Sequence, residues 1–214
     1  MINLDIGCGT NKEKGYLGLD CFKHDNIDIV IDLNKDKIPF NDNVVDHIVS
    51  YHALEHIANL HFLLSEMYRI SKPNAQWFIS VPYYANSIDM TNPFHLHKFS
   101  EHFFRFYSSE SDSTLPLSLW NRHPTPEWGL KHSANSNFEV ELRTLDIEFD
   151  YYEDYWEVSN DVRNALRRKS WNICHTVNFY LQVIKGNSIE ISTPIIPQKR
   201  KEWIGAFPKS IGYI

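Results

Sequence analysis

Apolar and polar positions alternate from the start of the chain. Ile2, Leu4 and Ile6 predict a short buried strand that breaks at Gly7-Cys8-Gly9. Residues 16–20 predict a second strand ending in a carboxylate, and the β-branched run 27–32 a third. Residues 39–43 read as a turn. The stretch 44–50 is apolar enough to be a central strand buried on both faces. Leu60, Leu63, Leu64, Met67 and Tyr68 recur at helical spacing, with Asn59 as N-cap and Pro73 beyond the end. Residues 77–82 predict a fifth strand that Pro82 closes. The polar link 10–15 is too short for a full crossover helix, so an abbreviated helix or an open loop is expected there.

The pattern changes over residues 83–137. Tyr83-Tyr84 leads to Asn92-Pro93-Phe94-His95-Leu96-His97, and Ser100 can cap a helix carrying Phe103, Phe104 and Phe106. Ser-, Thr- and Pro-rich loops follow at 108–116 and 123–128. An irregular stretch this long, dense in Trp, Tyr and His, predicts an ordered lid over a binding site. Residues 138–152 alternate as a sixth strand. Residues 158–171 look helical, with Arg163, Arg167 and Arg168 on the exposed side. Val177, Phe179, Leu181 and Val183 alternate as a last strand, an antiparallel partner of the sixth at the sheet edge; a helix through 177–184 competes. The expected organisation is one domain over residues 1–185, with 83–137 as its insertion. Residues 186–214 form a tail packing on the surface or on a partner.

Composition narrows the class. The chain has 214 residues, enough for one well-buried α/β domain and too few for two large ones. A net charge of −6 disfavours nucleic acid and anionic membranes as partners. Cys8, Cys21 and Cys174 form no C-x-x-C pair and suit a reducing, cytoplasmic setting. No apolar run is long enough to span a membrane, and the opening core strand leads us to expect no leader peptide.

A strand followed by a glycine turn presents backbone N–H groups to a polar or anionic ligand group. The dinucleotide fingerprint needs a third glycine where Lys12 stands, which weakens a nicotinamide reading. Asp20, at the tip of the neighbouring strand, is placed to accept both hydroxyls of a ribose.

Leu4-Asp5-Ile6-Gly7-Cys8-Gly9-Thr10 resembles the first motif of class I S-adenosylmethionine (SAM)-dependent methyltransferases, and Asp20 matches their ribose-binding acid. The resemblance continues through Asp32-Leu33, Ile38-Pro39-Phe40, Val45-Asp46-His47-Ile48-Val49, Leu54-Glu55-His56-Ile57, Arg69-Ile70-Ser71-Lys72-Pro73 and Ile79-Ser80-Val81-Pro82. It covers residues 1–85 and touches 93–100 loosely. Lys72-Pro73-Asn74-Ala75 departs from it, since a Gly-Gly turn is usual there; Asn tolerates the left-handed conformation and can keep the turn.

The resemblance implies a Rossmann-like, mainly parallel seven-stranded sheet with an antiparallel edge strand and an aromatic lid. It implies SAM as cofactor, held by Asp5, Gly7, Cys8, Gly9 and Thr10, with Asp20 on the ribose, Asp32 and Leu33 at the adenine, and Tyr51 and His56 alongside. It also implies a transferase that methylates a hydroxyl of a small or saccharide-like acceptor. His95 aligns with a Pro-x-His element of the family and is the first candidate base, with His52 second. A noncatalytic SAM-fold protein that binds a ligand or partner through the lid is the alternative. The oligomeric state is left open.

His52-x-x-Glu55-His56 also spells the H-x-x-E-H pattern of inverted zinc peptidases, whose two histidines share one helix face. The segment lies at a strand-to-helix corner, with no downstream carboxylate motif to supply a third ligand. Glu55 and His56 are therefore expected to fix the loop beside the cofactor, with no metal.

Overall fold

The computed structural model describes residues 1–108, 139–186 and 190–206. Seven strands form one sheet: β1 (Asn3–Ile6), β2 (Leu17–Asp20), β3 (Ile29–Val30), β4 (Val45–Tyr51), β5 (Ser71–Pro82), β6 (Leu142–Tyr151) and β7 (Cys174–Val183), in the spatial order β3-β2-β1-β4-β5-β7-β6. Strands β1 to β5 pair in parallel. β7 runs antiparallel to both β5 and β6, so it is second from the edge that β6 forms. This is the Rossmann-like α/β sheet that the resemblance implied, and the helical alternative for 177–184 falls away.

The centre of the sheet follows from its residues. In β4, Val45, Ile48 and Val49 are fully buried, as the run of apolar residues predicted. α1 (Leu60–Ile70) lays Leu60, Leu63, Leu64, Met67 and Ile70 into the core, and the Asn59 side chain accepts from Phe62 N–H at 3.4 Å as its cap. In place of the expected turn, β5 starts directly after α1, and Asn74 takes φ +64° without glycine where the pairing with β4 shifts register. No helix forms across residues 10–16, matching the short link.

Some expectations need correction. The third strand keeps only Ile29–Val30, at an edge where Val30 is exposed. The phenylalanine segment is a 3-10 turn, Phe103–Tyr107, not an α-helix. Its tight i to i+3 bonds, such as Arg105 N–H to His102 O at 3.1 Å, turn Phe104 and Tyr107 inward while Phe106 stays exposed. The helix expected over 158–171 is the shorter α3 (Asn160–Arg167), and its arginines do not face solvent. Arg163 and Arg167 are buried and Arg168 is half-buried. Arg167 pairs with Glu101 at 2.8 Å, donates to the Tyr83 hydroxyl at 3.0 Å, and lies 3.6 Å over the Phe149 ring. Arginine at helical spacing looks solvated in sequence, yet here it ties α3 to the insertion.

The described part of the insertion contains α2 (Ser87–Thr91) and one parallel bridge, Tyr83 to Phe99. The loops expected at 123–128 and most of 108–116, and Phe138 of the sixth strand, lie outside the described residues. Beyond β7, α4 (Gln198–Ala206) returns to the sheet. Among the described residues, no helix is long and apolar enough to cross a membrane.

Candidate functional site

A cleft of about 790 Å³ opens at the carboxyl ends of β1, β4 and β5, where parallel sheets place their ligands. Asp5, Gly7 and Cys8 line it from β1 and its turn, Tyr51 and His52 from the end of β4, and Ser80 and Pro82 from β5. Asn86, Asp89 and His95 form the insertion side; Lys199, Arg200 and Trp203 of α4 close the opposite wall.

The glycine turn is built as its sequence suggested. Gly7 (φ +66°) needs to be glycine twice over, since a Cβ there would come within 2.3 Å of Ala53 Cβ. Gly7 N–H donates to Leu19 O at 2.8 Å, stitching the turn to β2. The Asp20 carboxylate accepts from Gly9 N–H at 2.9 Å and from Phe22 N–H at 3.2 Å, and so braces the turn from the tip of β2. A carboxylate has lone pairs beyond these two bonds. Thr10 contributes its carbonyl to the Asn26 side chain at 2.8 Å. Gly9, Thr10, Asp20, Asp32 and Leu33 are not part of the cleft wall. Asp32 caps its own loop, accepting from Asn34 N–H at 3.0 Å, and Leu33 is buried in the core.

Asp5 is a buried acid of the cleft. Its Oδ2 accepts from Glu13 N–H at 2.6 Å and sits 3.4 Å from the Lys199 ammonium, while Oδ1 is buried with no hydrogen-bond partner. Burial pushes its pKa up to about 6, against the pull of Lys199. Tyr51 donates to Glu13 Oε2 at 2.8 Å and carries Lys199 Nζ 4.4 Å from its ring centre; burial, then the Glu13 carboxylate, holds its phenol far above the usual range. Glu13 Oε1 also accepts from Gln198 N–H at 2.9 Å and Lys199 N–H at 3.2 Å, which caps α4.

On the insertion side, His95 Nδ1 lies 2.6 Å from Asp89 Oδ1, and its ring meets that of His56 edge-on at 4.7 Å between centroids. His52 is half-exposed at φ +50°, with Nδ1 3.6 Å from Glu55 Oε1. This left-handed residue ends β4, and a 3-10 turn follows at Leu54–His56, so the helix on which a zinc peptidase presents its two histidines does not form. The structure thus brings Asp5, Gly7, Cys8, Tyr51, His52 and His95 onto one cleft, with His56 behind His95. Sequence reasoning missed Glu13, Asp89, Lys199, Arg200 and Trp203. Glu13 and Asp89 are fully buried acids in polar surroundings, and nothing local in the sequence marks them.

The family profile described as "Methyltransferase domain" matches residues 22–79, from the loop after β2 into β5. Over that stretch the chain is similar to methyltransferase domains, in line with the resemblance of the motifs around it. Several solved structures are similar to this chain in fold. A SAM-dependent methyltransferase from Archaeoglobus fulgidus is 16% identical, with a TM-score of 0.48 over 84% of this chain and 85% of its own. A Haloferax volcanii methyltransferase solved with the Trm112 activator is 15% identical, with a TM-score of 0.45 over 86% and 83%. The phosphoethanolamine N-methyltransferase 1 of Haemonchus contortus is 10% identical, with a TM-score of 0.48 over 89% of this chain and 40% of its own. No curated protein matches.

The residues fit the SAM that the resemblance implies. The cleft volume lies within the range of cofactor sites, about 300–1,000 Å³. An ideal Cβ at Gly9 would meet nothing within 4 Å, so the turn is open. The partnerless Asp5 Oδ1 offers a buried acceptor to a cationic or N–H group of the ligand.

Proposed function

We propose that the chain transfers the methyl group of SAM to a hydroxyl of a small, saccharide-like acceptor. Bound SAM would supply a sulfonium methyl carbon open to in-line displacement. Asp5 and the Gly7–Gly9 turn would hold the cofactor, with Asp20 bracing that turn. The cleft walls would align the acceptor and exclude water, which supplies much of the rate in such a displacement.

The observation that carries the hydroxyl reading is His95, on the cleft wall with its Nδ1 held by Asp89 at 2.6 Å. A hydroxyl must lose its proton to become a good nucleophile. An imidazole oriented by a carboxylate is built to manage that proton. His52 stands on the same wall as a second proton acceptor. Trp203, Tyr152 and Asn86 on the wall combine ring faces with a polar edge, as a polyol needs.

The test is product formation from methyl-labelled SAM against a panel of sugars and small alcohols. His95→Ala should lower turnover by at least about 100-fold and leave SAM affinity within twofold. Asp20→Ala should weaken SAM by about 1.5–3 kcal/mol in calorimetry. SAM binding with no product from any acceptor would favour the noncatalytic alternative.

A further inference from the structure

Two segments far apart in sequence are laced together at the insertion-side wall. Leu96 N–H donates to Glu55 O at 2.7 Å, and His97 Nε2 lies 2.8 Å from Ile57 O. This brings Glu55, His56 and His95 together, with one ligand atom from each within 4.8 Å of the others.

The hydrogen bonds decide which nitrogens are free. His56 Nδ1 is 3.1 Å from Phe94 O, and a carbonyl only accepts, so Nδ1 carries the proton and Nε2 keeps its lone pair. His95 Nδ1 is held by Asp89, which also pairs with Lys98 at 3.2 Å; that carboxylate accepts, and His95 Nε2 is left with its lone pair. Imidazoles that bind metals are oriented in this way, by a carbonyl or carboxylate on the far nitrogen. Glu55 supplies the anion. It is 1% exposed, its Oε2 has no hydrogen-bond partner, and its Oε1 lies 3.6 Å from His52 Nδ1 and 3.9 Å from His56 Nε2. A buried carboxylate oxygen without a hydrogen bond is costly, and a cation removes that cost.

We propose that Glu55, His56 and His95 bind one divalent transition-metal ion. Two imidazoles and one carboxylate suit Mn²⁺, Fe²⁺, Co²⁺ or Zn²⁺; Mg²⁺ and Ca²⁺ prefer oxygen ligands throughout. Metal–ligand bonds of about 2.1 Å draw ligand atoms to roughly 3–3.5 Å apart. His56, half-exposed, has room to turn its ring into that arrangement. Because His95 lines the cleft, the ion keeps positions open on the cleft side. If the acceptor is a hydroxyl, which rests on the function proposed above, the ion would lower its pKa, and His52, the second proton acceptor named there, would take the proton. The H-x-x-E-H reading lacked a third ligand because it looked for a carboxylate motif. The third ligand is His95, and His52 drops out of the set.

The test uses tag-free protein, stripped with chelator and titrated with Co²⁺ or Mn²⁺ without SAM, by calorimetry and by the Co²⁺ visible spectrum. One equivalent of Co²⁺ should bind at least tenfold more tightly than Mg²⁺. His56→Ala and His95→Ala should each weaken it at least tenfold with an unchanged melting temperature, and His52→Ala by less than twofold. Glu55→Gln should behave like the histidine variants; if it unfolds, the two histidine variants decide alone. No Co²⁺ binding, equal Mg²⁺ affinity, or binding indifferent to both His56→Ala and His95→Ala would each overturn the site. Metal binding without methyl transfer to any acceptor would remove the function proposed above and leave the site standing. Equal transfer before and after chelation would keep that function and overturn the ion's part in it.

Discussion

α1 and α3 flank the same sheet and are held to the protein by opposite means. α1 buries leucines and a methionine, whose burial contributes about 1.5–3 kcal/mol each and demands no particular partner. α3 buries Arg163 and Arg167, and Arg167 needs Glu101, Tyr83 and Phe149 in place at once. The apolar helix tolerates small changes in shape. In the ionic one, removing a partner leaves a buried charge alone, and the pair ties the insertion, through Glu101, to α3.

The largest expected effect tests that contrast directly. Glu101→Ala or Arg167→Ala leaves a buried charge alone and should cost about 3–5 kcal/mol in urea denaturation. The double replacement Arg167→Met with Glu101→Leu should recover most of that loss, since well-packed apolar pairs often match a buried ion pair. Leu64→Ala in α1 should cost a comparable 2–5 kcal/mol or so, with no single partner change able to rescue it. Recovery in α1 but not in α3 would reverse the comparison.

A smaller effect follows from His47 in β4. Burial holds its imidazole down at about 4, and Tyr16 Oη lies 2.6 Å from Nδ1. The unfolded chain takes up this proton near pH 6.5, the folded protein only near 4. Between those values the unfolded state binds more protons, so stability rises with pH and is lost on acidification, by up to about 3 kcal/mol from this residue. A His47→Gln variant should flatten that part of the stability–pH curve; an unchanged slope would assign it to other groups. The smallest effect is at the start of α1, where Asn59→Ala should cost about 0.5–1 kcal/mol, read from the melting temperature.

What was legible in the sequence divides along the same line. β1, β2, β4 and α1 were readable because apolar periodicity is a local signal, and the glycine turn because φ above zero selects residue type. Asn74 was readable for the same reason, and Asn59 because a short polar side chain can accept from the first turn of a helix. Arg163 and Arg167 were misread because a buried arginine differs from a solvated one only through partners distant in sequence. The cleft shows the same split. Asp5, Gly7, Tyr51 and His95 sit in recognisable motifs, whereas Glu13, Asp89 and Lys199 take their roles from contacts across the fold, and α4 carries no motif.

The contacts of Glu13 also bear on how the site comes into being during synthesis. Its bonds to Gln198 and Lys199 span 185 and 186 residues. At roughly 5–20 residues per second, a ribosome needs on the order of 10–40 seconds to make the intervening chain. During that interval β1, β2 and β4 can pair and the glycine turn can close, while Asp5 and Tyr51 wait without Lys199. β6 waits as well, because β7 must be made before it can join β5 to β6. The nascent protein therefore holds a half-built cleft with an open sheet edge at β5 until β7 is made.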